Sequence, residues 1–161
     1  MKPEYKNLPY RPGVGLLILN QNNDVFIGER FEQAGIWQLP QGGIDDGDSD
    51  FETSVFRELE EETGMTSKNS KIIAIMDDWQ YYDLPEHLIE KLWDSQYRGQ
   101  KQKWVAIRFD GIDSEINLHT CRYPEFQSWK WCALDRVFDT CIPVKRATYE
   151  IVIDYFKPFL P

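Results

Sequence analysis

A chain of 161 residues is the length of one domain and long enough to bury a sizeable core. Its formal net charge of −9 excludes a broad basic surface, so duplex DNA is not an expected partner, and any nucleic acid would be gripped locally, at an end. Three cysteines, Cys121, Cys132 and Cys141, are odd in number and lack metal-ligand spacing, which reads as reduced thiols.

The N-terminus MKPEYKNLPYRPG has no apolar run of signal-peptide type, and no segment approaches membrane-spanning length, so the expectation is a cytoplasmic protein with no membrane partner. GVGLLILN (13–20) and DVFIGER (24–30), separated by the turn signal QNN, predict two tightly joined strands. QLPQGGIDDGDSD (38–50) is too rich in Gly, Asp and Pro for regular structure and predicts a loop. Phe51, Val55 and Leu59 then recur at i, i+4 and i+8, the apolar stripe of a helix running to Gly64. Either Ser49 with Glu52, or Asp50 with Thr53, caps its start. KIIAIMDDWQYY (71–82), KWVAIRFDG (103–111) and SWKWCAL (128–134) predict further strands. PVKRATYEIVIDYF (143–156) predicts a closing helix with Pro143 in its first turn and Ala147, Ile151 and Tyr155 along one face. With no repeat, linker or low-complexity segment, the expectation is a single α/β domain over 1–161, a mixed sheet between helices.

RELEEETGM (57–65) carries the chemistry. From Glu58, the residues Glu61 and Glu62 stand at i+3 and i+4 on one helix face, while Glu60 points elsewhere. Like charges at i and i+4 destabilise a helix by a few tenths of a kcal/mol, and the C-terminal end of a helix disfavours anions. A divalent cation would offset both costs. A glutamate-rich solvated face is the plainer alternative, and spacing alone leaves both open.

The segment GGIDDGDSDFETSVFRELEEETGM (42–65) resembles the signature of the Nudix hydrolases. That signature reads Gly, five residues, Glu, seven residues, then Arg-Glu-U-x-Glu-Glu-x-Gly-U, with U bulky and apolar. Gly42, Arg57, Glu58, Leu59, Glu61, Glu62, Gly64 and Met65 match it. Asp48 stands where the first Glu belongs, and eight residues rather than seven separate it from Arg57, so the pattern position counted back from Arg57 falls on Ser49. The departure touches the carboxylate that steadies the loop and leaves the three glutamates in register. The resemblance implies a Nudix fold, an α/β/α sandwich with a mixed sheet, and hydrolysis of a nucleoside diphosphate linked to another moiety. It implies that Glu58, Glu61 and Glu62, with the backbone carbonyl of Gly42, hold Mg²⁺ or Mn²⁺, which neutralises pyrophosphate oxygens and acidifies an attacking water. Arg57 would orient a glutamate by ion pairing.

YRPGVG, WQLPQGG, GQKQKW and PEFQSWKW are similar to the branch of the family that holds bacterial RNA pyrophosphohydrolases and dinucleoside polyphosphate hydrolases. The likeness runs from about Tyr10 to Phe156. In that branch the Glu of PEF, here Glu125, supplies a further carboxylate as metal ligand or general base. Residues matching the branch's RNA-end contacts are Arg11, Arg30, Tyr82, Val144 and Lys145, although the branch often has an aromatic at the position of Val144. Lys103, with Lys101, leads into a strand and reads either as a substrate contact or as a solvated edge. His87 and His119 have no partner spacing and read as structural. The resemblance implies a metal-dependent 5′-pyrophosphohydrolase acting on 5′-triphosphorylated RNA ends. Its rivals are a hydrolase of dinucleoside polyphosphates such as diadenosine tetra- or pentaphosphate and, from another class, a catalytically weak module that binds nucleotides or RNA ends.

Overall fold

A computed structural model describes residues Met1–Pro161. Its elements are α1 (Pro3–Lys6), β1 (Tyr10–Leu19), β2 (Val25–Arg30), β3 (Trp37–Gln38), β4 (Gln41–Gly43), α2 (Phe51–Thr63), β5 (Ser70–Ile75), β6 (Gln80–Asp83), α3 (Glu86–Ile89), β7 (Gly99–Phe109), β8 (Phe126–Cys132) and α4 (Pro143–Phe156). From Val14 to Leu19 every residue of β1 is buried, the mark of a strand covered on both faces. It runs parallel to β7, from Tyr10 opposite Gly99 to Leu19 opposite Arg108. All other pairings are antiparallel, with β2 and β4 on β1, β3 and β8 on β2, and β5 and β6 on β7. The sheet is therefore mixed.

Alternation along the central strands makes two cores. Leu17 and Leu19 join Trp104 and Ala106 beneath Tyr149, Val152, Ile153 and Phe156 of α4. Val14, Leu16 and Ile18 join Val105 and Ile107 beneath Val55 and Leu59 of α2. Each fully buried Val, Leu, Ile or Phe side chain contributes about 1.5–3 kcal/mol. The result is an α/β/α sandwich with α2 and α4 on opposite faces.

Several local expectations need correction. The 38–50 segment is not all loop, because β4 pairs with Gly13–Gly15 and β3 with Gly28–Glu29. The 71–82 run is two strands, β5 and β6, which pair separately with different stretches of β7. The buried face of α4 is not Ala147, Ile151 and Tyr155: the first two are exposed and the third only partly buried. The larger side chains of the neighbouring stripe take the core, anchored where the Leu39 backbone N–H donates to the Tyr149 hydroxyl at 3.1 Å.

Helix α2 begins at Asp50, whose carboxylate accepts from the Thr53 backbone N–H at 2.8 Å, so Asp50 and not Ser49 is the cap. Between α3 and β7 the chain makes a left-handed turn through Trp93, Asp94 and Ser95, with φ of 49°, 53° and 58°. For residues with a Cβ this conformation costs about 1–2 kcal/mol each.

Candidate active site

Arg57 ties the loop before α2 to the acidic face. Its Nε and Nη2 donate to Asp48 Oδ1 and Oδ2, both at 2.9 Å, and Nη2 also donates to the Gly43 carbonyl at 2.7 Å. The Asp48 carboxylate, only 5% exposed, also accepts from the Asp45 backbone N–H at 2.9 Å. So the extra residue leaves the loop steadied by Asp48, in a bidentate pair that also draws the Asp48 carboxyl below its ordinary range. The same guanidinium reaches Glu58 Oε1 at 2.8 Å and Glu61 Oε2 at 3.4 Å. Asp48, its first partner, raises the Arg57 pKa further above the ordinary guanidinium value.

Glu58 and Glu62 are buried, Glu61 is half-exposed, and Glu60 is exposed. Burial pushes Glu58 up to about 7 although Arg57 pulls it down. Burial pushes Glu62 up to about 9, with the charges of Glu125 and Glu58 adding to the rise, and its Oε2 has no hydrogen-bond partner. A buried carboxylate oxygen without a donor is costly. Gly42 passes so close to this face that a Cβ there would overlap the Glu58 carboxylate.

Gly42, Glu58, Glu61 and Glu62 line a cavity of about 910 Å³ together with Arg11, Arg30, Tyr82, Glu125 and Lys145. Arg30 stands 3.5 Å from Glu125 and 3.3 Å from Glu32. Lys145 donates to Gln41 Oε1 at 2.8 Å; burial and the nearby Arg30 lower its pKa to about 8. Arg11 pairs with no carboxylate. Its guanidinium lies where a Cβ on Gly43 would fall and stands 5.1 Å from the Trp93 ring centroid.

Two of the residues expected to contact substrate lie elsewhere. Lys103 is outside the cavity because Gln100 and Gln102 take the inward positions of β7, which turns Lys101 and Lys103 toward the Trp79 ring. Val144 is 71% exposed and borders a separate, mostly apolar cavity of about 230 Å³ that shares Gln41, Tyr82 and Lys145 with the larger one. Both histidines are exposed. Gln41, Trp93 and Cys121 line the main cavity without having been singled out. No local pattern marks them, since three separate segments of the chain bring them to one cavity: β4 for Gln41, the turn before β7 for Trp93 and the segment before β8 for Cys121.

No three acidic side chains close on one point here, because Glu58 and Glu61 lean on Arg57. The donor set nevertheless suits a hard divalent cation: it is all oxygen, its Glu58 and Glu62 are buried, and it includes the unpartnered Glu62 Oε2.

A mixed sheet between two helices, with a Gly-rich loop pinned by arginine to a carboxylate-bearing helix, defines the class. The chain belongs to the Nudix family, whose NUDIX domain model matches residues 9–153. Among its relatives, the RNA pyrophosphohydrolase of Rickettsia typhi is 44% identical over 158 residues, covering 98% of this chain and 96% of that protein. The RNA pyrophosphohydrolase of Sphingopyxis alaskensis is also 44% identical, over 98% of this chain and 99% of its own. Among solved structures, the Escherichia coli dihydroneopterin triphosphate pyrophosphohydrolase superposes with a TM-score of 0.69 at 16% identity, over 91% of this chain and 99% of that one. The Caenorhabditis elegans Ap4A hydrolase binary complex gives 0.64 at 19% identity, over 91% and 96%. These two likenesses show the fold. Nudix hydrolases generally use divalent metal ions.

Proposed function

We propose that this chain is a single-domain, cytoplasmic RNA 5′-pyrophosphohydrolase that uses Mg²⁺ or Mn²⁺ to convert 5′-triphosphorylated ends to 5′-monophosphates. One observation carries the reading: buried Glu58 and Glu62, the latter with an unpartnered oxygen, open into a cavity that also holds Arg11, Arg30 and Lys145. Acidic groups alone would repel a polyphosphate, and cations alone would bind it without cleaving it. Together they suit metal-assisted cleavage of a phosphoric anhydride. The names of the relatives at 44% identity support RNA ends as the substrate.

Glu58, Glu61, Glu62 and the Gly42 carbonyl would hold the metal, which when bound neutralises phosphate charge and lowers the pKa of a water molecule. Arg57 keeps the Gly43 carbonyl and the glutamates in place through its hydrogen bonds to both. Glu125, paired with Arg30, would join the metal ligands or would accept the proton of the attacking water. Arg11, Arg30 and Lys145 hold the polyphosphate, and Tyr82 borders the nucleoside end.

The test is kcat/KM for a triphosphorylated RNA and for diadenosine tetra- and pentaphosphate, measured side by side with Mg²⁺. RNA is expected to be preferred. Faster turnover of the dinucleotides would move the assignment to the rival substrate class. Nucleotide binding without turnover of either would identify a binding module.

A further inference from the structure

We propose that Trp93 is a positioning residue that holds the Arg11 guanidinium ready for the polyphosphate. This rests on the function proposed above and adds to it a specific support for one cationic contact.

Three independent features meet at this point. First, Arg11 is a cavity-lining arginine with no carboxylate partner, whereas Arg30 and Arg57 are both ion-paired. An arginine free of acids keeps its donors for an incoming anion, but without other support its long side chain would wander. Second, two neighbours supply that support. Gly43 leaves space that a Cβ would fill, since such an atom would overlap the guanidinium, and the indole of Trp93 lies beneath the charge at 5.1 Å. Contact with a ring face leaves the in-plane N–H groups of a guanidinium unused, and phosphate oxygens are recognised along that edge. Third, the turn that presents Trp93 is strained: Trp93, Asp94 and Ser95 are successive left-handed residues, none of them glycine. The turn is closed by bonds from Ser95 N–H to the Leu92 carbonyl at 3.1 Å and from Gln96 N–H to the Trp93 carbonyl at 3.0 Å. Tyr97 then meets the indole edge-on at 6.0 Å and limits its rotation. Strain of this kind persists where the surroundings hold a side chain for a purpose. Here it delivers an aromatic face to a cation at the cavity wall.

The test is a double-mutant cycle on Arg11 and Trp93, with kcat and KM measured on a triphosphorylated RNA and on diadenosine tetraphosphate. Trp93→Leu keeps apolar bulk and removes the π face, and it is expected to raise KM about fivefold to tenfold with kcat little changed. Trp93→Phe should restore most of the loss. In the Arg11→Ala background Trp93→Leu should add almost nothing, because the group it positions is gone. Independent full effects in the double variant would overturn the proposal, as would equal losses for Leu and Phe. Calorimetric binding of inorganic tripolyphosphate at low salt separates this role from base stacking. Weaker binding by the Trp93→Leu protein supports a role through Arg11. An unchanged affinity for tripolyphosphate, with only nucleoside-bearing ligands weakened, makes Trp93 a base platform and overturns the proposal. Substrate identity is judged separately on the wild-type protein: if it cleaves only the dinucleotide, the RNA assignment fails while the cycle is still read on that polyphosphate.

Discussion

Glu62 and Lys145 show how burial sets the charge of single residues in this cavity. Glu62 sits in the protein with one oxygen unpartnered and is pushed up to about 9, so it gains from a cation more than an exposed glutamate would. Glu62→Gln is expected to lower kcat at least about a hundredfold, in line with the loss of a large electrostatic contribution. Folding should survive, because the variant no longer buries an acid. A near wild-type rate would reduce the acidic face to scaffold. Lys145, at about 8, is the cationic counterpart. Its ammonium is charged below pH 8 and neutralises above it, so KM for a polyphosphate should climb between pH 7.5 and 9. Lys145→Ala should raise KM several-fold at pH 7 and flatten that climb; the same slope in the variant would remove Lys145 from the phosphate contacts. Its neighbour Arg146 is committed to Glu150, 3.1 Å away on the same helix.

The element with the most at stake is the loop between β4 and α2. Its family spacing is one residue too long, yet the Asp48–Arg57 pair spans the difference, and Asp50 caps the helix independently. Asp48→Ala removes two charge-assisted hydrogen bonds from Arg57 and is expected to cost about 1.5–3 kcal/mol of stability, read as a fall in Tm. Ser49 contributes only a 3.0 Å contact between its hydroxyl and that of Thr53. Deleting Ser49 should therefore keep activity within about tenfold, roughly 1.4 kcal/mol in the barrier. Loss of activity with the fold intact would make the longer loop itself part of the site. From sequence alone the helix cap is ambiguous. Ser49 and Asp50 are both good caps in isolation, and only the path of the loop decides which one meets a free N–H.

At the scale of the whole molecule, the buried acids couple stability to pH and to metal. Glu58 and Glu62 have folded-state values of about 7 and about 9 against an ordinary 4.5. Between these limits the folded state binds more protons than the unfolded one, so stability falls as pH rises. Their stabilising contribution is complete below about pH 4.5 and is lost as pH passes through 7 and then 9. The metal-free protein is thus expected to lose Tm steadily from pH 5 to 9. Added Mg²⁺ or Mn²⁺ should restore more of it at pH 9 than at pH 6, because protons compete with the metal for the same oxygens. Thermal unfolding in chelator and in metal, across that range, checks both parts. A flat Tm without metal would show that these carboxylates are solvated.

What the sequence determined by itself is what depends on backbone periodicity. The face shared by Glu58, Glu61 and Glu62 follows from the helical period and the stripe of Phe51, Val55 and Leu59, whatever packs above them. The apolar runs of β1, β2, β7 and β8 were legible for the same reason. Tertiary structure alone decided which of two apolar stripes of α4 enters the core, since both have helical spacing and only contact with the sheet separates them. It also decided that Lys103 faces Trp79 while Gln100 lines the cavity, because strand orientation is set by pairing across β1 and β6. And it placed Arg11 over Trp93, a contact between the first strand and a left-handed turn far along the chain. Neighbours in sequence impose angles; only the closed sheet imposes which distant side chains share one cavity.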